Sequence, residues 1–365
     1  MGSGSVSRIP GAGISPGAHR AIRCRVLWPS WLLTAALTLL FATGLTVPSW
    51  AEYLPFALSL VLFGLPHGAV DHLAAPRLLG RRPWPWPALA VGLLYLFLGG
   101  AYLYLWFVAP VAAFVSFIAL TWLHWGGGDL HALTAFVSNW GAYPVGRARR
   151  VLALILRGGL PMLIPLLAFP ETYRAVAESA VNLFAPASSG VLSWVFEPSF
   201  RLIAGTAFAL LAVAALASGY GSAKKSGARG VWWIDVAETA LLAVYFALVP
   251  PVLAVGLYFC LWHAPRHVAR LVLLDEKSAG ALEAGRISSA LARFARDAAP
   301  LTIAALVFLL GLYFVVPGTG SQGLSPDSLL AVYLVLISVL TLPHVMIVLF
   351  MDVRQGLWRR AAPGA

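Results

Sequence analysis

Ten stretches of this chain are long and apolar enough to cross a lipid bilayer. Hydrophobic residues make up 60% of the sequence and charged residues 11%, against about 45–50% and about 25% in a typical soluble domain. A soluble core could not bury so much apolar surface, so we predict an all-α fold, a polytopic transmembrane helix bundle of about ten helices. A spanning helix needs about 20 mostly apolar residues, and such runs lie at 27–48, 53–75, 86–107, 111–134, 150–168, 200–218, 231–249, 251–272, 299–317 and 328–351. Nine helices is the alternative, because Arg157 and Gly158-Gly159 interrupt the fifth run.

The distribution of Lys and Arg predicts the orientation of the bundle. If the N-terminus is cytoplasmic, the proposed outer connections hold only Arg174 and Arg201, as the positive-inside rule requires. Both termini are then cytoplasmic, and the chain is a multi-pass protein of the cell membrane. The net charge of +11 is explained in this way and does not indicate nucleic-acid binding. The inner connections hold Arg77, Arg81, Arg82, Arg147, Arg149, Arg150, Lys224, Lys225, Arg229, Lys277, Arg286, Arg293, Arg296, Arg354, Arg359 and Arg360.

The two ends and two long connections complete the predicted organisation. We expect a disordered basic tail at 1–26, one membrane-embedded domain at 27–352 and a basic tail at 353–365. The first apolar run could also be a secretory signal, but signal cores are usually about 7–15 residues, so we favour a membrane helix. Residues 170–199 are predicted to form an outer loop with a short interfacial helix, and residues 275–298 an amphipathic inner helix.

Seven of the eight histidines lie in predicted membrane helices, where ionisable side chains are costly and usually functional. In the predicted topology, four of them lie about 12–16 residues after the outer start of their helices, which is roughly 18–24 Å deep at about 1.5 Å per residue. Four helices that are distant in sequence thus bring imidazole to one depth in the inner half of the bilayer. The four residues are His67, His124, His263 and His344.

The spacing of His263 and His267 favours a metal site. Residues four apart lie on one helix face, one turn from each other, and His67 and His124 are predicted at the same depth. Imidazole suits zinc, copper, iron and nickel, and a neutral, all-histidine site with open positions suits Fe(II) and dioxygen. Asp71 and Asp129 follow His67 and His124 closely. They are expected either to orient the ligands or to pair with cations such as Arg77 at the inner interface.

The motifs around these histidines resemble those of a known family. They are Gly64-Leu65-Pro66-His67-Gly68-Ala69-Val70-Asp71-His72, His124-Trp125-Gly126, Trp262-His263-Ala264-Pro265-Arg266-His267 and Pro343-His344. Together they resemble the Brp/Blh family of microbial β-carotene 15,15′-dioxygenases, from about residue 30 to 352. The resemblance implies an enzyme that cleaves the central double bond of β-carotene with O2, giving two molecules of retinal. It implies that His67, His124, His263 and His267 bind Fe(2+) at the catalytic centre. Retinal is then expected to pass to a rhodopsin or another retinal-binding partner.

The sequence is also compatible with other residue roles and other functions. His72 and His344 also fall in motif positions and are expected to orient a ligand, a water or a carboxylate. A two-iron desaturase or hydroxylase is one rival, although such enzymes need more histidine clusters than this sequence has. A transporter or proton channel with histidine and aspartate relays is another, and a bis-histidine haem protein is a third.

Overall fold

The computed structural model describes residues 13–80, 85–141, 143–144, 146–317, 319 and 325–358. This part of the chain is helical and contains no β-strand, which confirms the predicted fold class. A 3₁₀ helix at Pro186–Phe196 lies between the sixth and seventh α-helices. We number the α-helices, with short π turns included in them, as α1 (Pro16–Ala42), α2 (Ser49–Leu78), α3 (Pro85–Val108), α4 (Pro110–Val137), α5 (Arg147–Ala168), α6 (Pro170–Asn182), α7 (Pro198–Ser226), α8 (Arg229–Leu248), α9 (251–272), α10 (Glu276–Glu283), α11 (Ile287–Val315) and α12 (Pro326–Arg354).

Nine helices of the described chain are long and apolar enough to cross a membrane, namely α1 to α5, α7, α8, α11 and α12. They expose large apolar side chains on their outer faces. Leu96 on α3 is 73% exposed and Phe314 on α11 is 76% exposed, which suits contact with lipid rather than water. The chain is therefore a multi-pass membrane protein.

The tenth predicted run, 251–272, is continuous helix but is not among these nine. Helix α9 lies in the middle of the bundle, and none of its residues is classed as exposed. Since its neighbours shield it from lipid, it can carry His263, Arg266, His267 and Arg270, which lower its hydropathy. Its 22 residues correspond to about 33 Å at about 1.5 Å per residue, long enough to span the hydrocarbon layer.

The prediction of a disordered tail is wrong from residue 16 onward, because α1 begins at Pro16. The side chain of Ser15 accepts a hydrogen bond from the backbone N–H of Ala18, which caps the helix. Ala18 and Ile22 are buried in a cluster that includes Leu282 of α10. Residues 1–12 lie outside the described chain, as do Arg81, Arg82, Arg359 and Arg360, and the orientation in the membrane remains a prediction.

The two long connections differ in how well they were predicted. A short helix, α6, does lie within 170–199. Residues 275–298, however, do not form one amphipathic helix. Helix α10 ends at Glu283, and α11 begins at Ile287 and continues through Pro300 to Val315, so the second half of the predicted inner helix is the start of a membrane helix.

Helices α4 and α5 pack with their backbones in close approach. A Cβ on Gly126 would lie 2.1 Å from the carbonyl oxygen of Leu154, and one on Gly158 would lie 2.0 Å from that of Trp122. Small residues allow such contacts between membrane helices. The pairing fixes the position of α4, which carries His124.

Candidate metal centre

Five histidines, carried by four helices, lie close together inside the bundle. His67 lies on α2, His124 on α4, His263 and His267 on α9, and His344 on α12. All five side chains are buried, at 8% exposure or less. The predicted convergence at one depth is confirmed as a spatial cluster.

Two π turns lie next to these residues. One covers Leu60–Gly64, just before His67, and the other covers Phe259–His263 and ends on a histidine. A π turn accommodates an extra residue within a helix and is frequent at functional sites. Here it changes the face on which the histidine side chain emerges.

His67, His124 and His263 form the tightest part of the cluster. One ligand nitrogen from each lies within 4.8 Å of the others, and the Nε2 atoms of His124 and His263 are 3.2 Å apart. His67 Nδ1 donates to the carbonyl oxygen of Phe63 at 3.1 Å. Because a carbonyl can only accept, this bond leaves Nε2 of His67 as the free electron-pair donor.

His267 lies beside this group, one helical turn after His263. Its ring centroid is 5.4 Å from that of His67 and 6.1 Å from that of His124. Its Nε2 is buried and has no hydrogen-bond partner among the described residues. A buried nitrogen without a hydrogen-bond partner is costly. Several such nitrogens that converge on neutral imidazole rings form the donor set of a metal site. The residues therefore fit a metal ion.

His344 is held against the same group by a buried carboxylate. Its Nδ1 donates to Oδ2 of Asp71 at 2.7 Å, and the hydroxyl of Tyr95 donates to the same oxygen at 2.6 Å. The ring centroid of His344 is 4.8 Å from that of His124 and 5.0 Å from that of His67. Asp71 thus has an orienting role, but toward His344 rather than His67.

The other two membrane histidines lie apart from the cluster. His72 is half-buried, and its Nδ1 donates to the carbonyl oxygen of Ala69 at 3.0 Å. His131 packs against the rings of Phe136 and Trp140.

Among the described residues Asp129 makes no hydrogen bond to a histidine, so the expectation that it orients His124 is wrong. It accepts hydrogen bonds from Trp262, Arg157 and Arg266 at 3.0–3.3 Å. The alternative, pairing with a cation, is found, but the cations are the buried Arg157 and Arg266. Arg77 instead pairs with Asp297 and Asp275. Asp129 belongs to a buried ion network of three arginines and three carboxylates, which we define as Arg149, Arg157, Arg266, Asp129, Asp235 and Glu238.

This buried ion network supports the helix that carries two of the histidines. Arg266 lies on α9 between His263 and His267, and it binds Glu238 of α8 at 2.8 Å and Asp129 of α4 at 3.2 Å. Its guanidinium also stacks on the ring of Trp262 at 3.7 Å. Sequence reasoning missed this network, although a charged residue within an apolar run, such as Arg157, was its signal.

A cavity of about 960 Å³ leads to the histidines. His67, His124 and His344 line it together with apolar side chains of α3, α4, α11 and α12. Its lining on α12 extends from Leu330 to His344, which is about 21 Å at about 1.5 Å per residue. Leu96, Leu301 and Phe308 line it and are themselves exposed on the outer surface of the bundle. The cavity is thus elongated, apolar and bordered by lipid-facing side chains.

Comparisons with known proteins agree with this arrangement. A family model described as beta-carotene 15,15'-dioxygenase matches residues 58–352. A Halobacterium salinarum protein named "Probable beta-carotene 15,15'-dioxygenase Blh" is 45% identical over 358 residues, covering 98% of this chain and 100% of that protein. A second protein of that species, "Probable beta-carotene 15,15'-dioxygenase Brp", is 31% identical over 337 residues, covering 89% of this chain and 90% of its own length. No solved structure shows significant similarity. The chain belongs to the β-carotene 15,15′-dioxygenase family.

Proposed function

We propose that this protein cleaves the central 15,15′ double bond of β-carotene with O2 and releases two molecules of retinal. The observation that carries the proposal is the apolar cavity that ends on the buried histidine cluster in a member of this family. A rigid, fully apolar polyene dissolves only in the lipid phase. A slot bordered by lipid-facing side chains admits it without passage through water.

The proposed cofactor is Fe(2+), held by His67, His124, His263 and His267. When bound, the iron supplies the redox chemistry that activates dioxygen. Four neutral imidazoles leave the ion its full positive charge and leave open positions for small molecules. Their rigid placement comes from the helix packing and from the hydrogen bond of His67 to Phe63.

The residues around the histidines would position the substrate and keep water out. Phe117, Ile337 and Leu340 line the cavity, and Phe259 packs against His67 with ring centroids 5.4 Å apart. Such walls hold a polyene in register so that one double bond stays beside the reacting centre, which is how positioning contributes to rate. Retinal, being apolar, would leave toward the lipid and pass to a rhodopsin.

The rival functions fit the geometry less well. A two-iron oxidase needs histidines for a second ion, and His72 and His131 lie apart from the cluster. Axial haem ligands face each other across an ion with bonds of about 2.0–2.1 Å each, so their nitrogens lie about 4 Å apart. A haem also needs room for a planar macrocycle between its axial ligands, whereas the ring centroids of His263 and His344 lie 4.9 and 4.8 Å from that of His124. A transporter would need no bound iron and is separated by the experiment below.

The test is expression of the full chain in β-carotene-producing cells, with pigments analysed by liquid chromatography. We expect loss of β-carotene and formation of retinal, without the longer apocarotenals that off-centre cleavage would give. His263→Ala should abolish both retinal and iron content, whereas the matched control His131→Ala should keep both. Unchanged β-carotene in cells that hold intact, iron-loaded protein in the cell-membrane fraction would refute the proposed activity.

A further inference from the structure

His344 lies beside the histidine cluster, and one of its buried ring nitrogens has no hydrogen-bond partner among the described residues. Its Nδ1 is occupied by Asp71 at 2.7 Å. Since a carboxylate accepts, Nδ1 carries the proton, and in a neutral imidazole the electron pair is then on Nε2. Within the described residues this Nε2 is buried and has no hydrogen-bond partner.

The ring of His344 lies among the rings of the proposed metal centre. Its centroid lies 5.0 Å from that of His67, 4.8 Å from that of His124 and 5.3 Å from that of His267. We propose that His344 is a fifth metal ligand, oriented by Asp71 and Tyr95. The inference rests on the proposed metal centre and extends it beyond the four histidines that the family resemblance implies.

Asp71 and Tyr95 form the support that such a ligand needs. Asp71 is 1% exposed, and its Oδ2 accepts from both His344 and Tyr95, at 2.7 and 2.6 Å. A metal-bound histidine usually donates its other N–H to a carboxylate or carbonyl, which fixes the tautomer and raises the basicity of the ligand. The phenol of Tyr95 in turn holds the carboxylate of Asp71. Hydrogen bonds thus connect Tyr95 of α3, Asp71 of α2 and His344 of α12.

A purely structural role for His344 explains the geometry less well. A hydrogen bond to Asp71 alone would leave Nε2 buried without a hydrogen-bond partner, which is unfavourable. As a ligand, the nitrogen gains a partner, and Asp71 brings one negative charge close to a centre of otherwise neutral ligands.

The experiment titrates the metal-free, full-length protein in detergent with Co(II) and follows the visible absorption of the bound ion. We expect His344→Ala to weaken Co(II) binding and to change the absorption spectrum, and added imidazole to restore both by filling the vacated space. Asp71→Asn should weaken binding by about 10–100-fold, the usual effect of removing a group that orients a ligand, and Tyr95→Phe should have a smaller effect. The matched control is His131→Ala, a buried histidine outside the cluster.

The outcome is decisive in either direction. If folded His344→Ala binds Co(II) with the wild-type affinity and spectrum, His344 is not a ligand. Should His344→Ala fail to fold, Asp71→Asn decides, and unchanged affinity and spectrum in that variant overturn the inference. The activity assay is separate. Wild-type protein that binds Co(II) through His344 but yields no retinal with iron would refute the proposed substrate and leave this inference standing.

Discussion

Replacement of Arg157 by methionine should strongly destabilise the protein. Arg157 is 1% exposed and lies in an apolar helix, where it binds Asp235 at 2.7 Å, Glu238 at 2.7 Å and Asp129 at 3.3 Å. The buried ion network contains three arginines and three carboxylates. Removal of one arginine leaves two positive charges against three negative charges, so one buried carboxylate is uncompensated.

The size of the effect follows from that unpaired charge. Breaking a buried ion pair by removing one partner typically costs about 3–5 kcal/mol, and Arg157 also makes hydrogen bonds to all three carboxylates. We therefore expect Arg157→Met to lower the free energy of unfolding by about 3–5 kcal/mol. The assay is a sodium dodecyl sulfate titration in mixed micelles, followed by loss of helical circular dichroism.

Two further variants separate charge from hydrogen bonding. Arg157→Lys keeps the positive charge but loses the planar, forked guanidinium group. It should therefore lower the free energy of unfolding by less than Arg157→Met does. The double variant Arg157→Met with Glu238→Gln restores two charges against two and should be less destabilised than the sum of its single changes. A free energy of unfolding for Arg157→Met within about 1 kcal/mol of wild type, below the range for a broken buried pair, would refute the reasoning, as would strict additivity in the double variant.

Three more predictions concern packing, the cavity and pH. Gly158→Ala should destabilise by about 1–3 kcal/mol as overpacking does, because its Cβ would lie 2.0 Å from the Trp122 carbonyl oxygen; Gly221→Ala, whose Cβ meets nothing within 4 Å, should not. Ala305→Trp should fill part of the cavity and lower β-carotene turnover by about tenfold or more without loss of iron. Leu310→Trp on the same helix, at a position 61% exposed, should have little effect on turnover, and equal turnover in the two variants would exclude this path for the substrate. Burial acts to raise the pKa of Asp275, but hydrogen bonds from Ser278 and the charge of Arg77 outweigh it and hold that pKa below its usual value. The carboxylate therefore stabilises the fold above its unfolded pKa of about 3.9, so wild type should exceed Asp275→Asn in stability at pH 7. The difference should shrink as the pH falls below that value and disappear once the pH is below the lower pKa of the folded state.

Hydropathy predicted the number and type of the helices well, because a bilayer requires long apolar helices at its lipid contacts. It was less informative where a helix does not touch lipid. No residue of helix α9 is classed as exposed, and the helix carries His263, Arg266 and His267. Its sequence is therefore more polar than that of a lipid-facing membrane helix. The start of α1 at Pro16 was missed for a related reason. Its first two turns pack against α10, a tertiary contact that periodicity in one segment does not reveal.

The histidine cluster shows the limit of sequence reasoning most clearly. Depth along a helix follows from residue counting, and it correctly grouped His67, His124, His263 and His344. Rotation about the helix axis does not follow in the same way, because each π turn shifts the later side chains by about 100°, one residue of a 3.6-residue turn. An interruption of a helix has the same effect on Asp71. Four residues after His67, it would share a face with that histidine in an unbroken helix, but the helix is interrupted at Val70, with φ −96° and ψ 6°. The carboxylate turns instead to His344, 273 residues away in sequence, and so the residue we propose as the fifth ligand is identified by its partner and not by its motif.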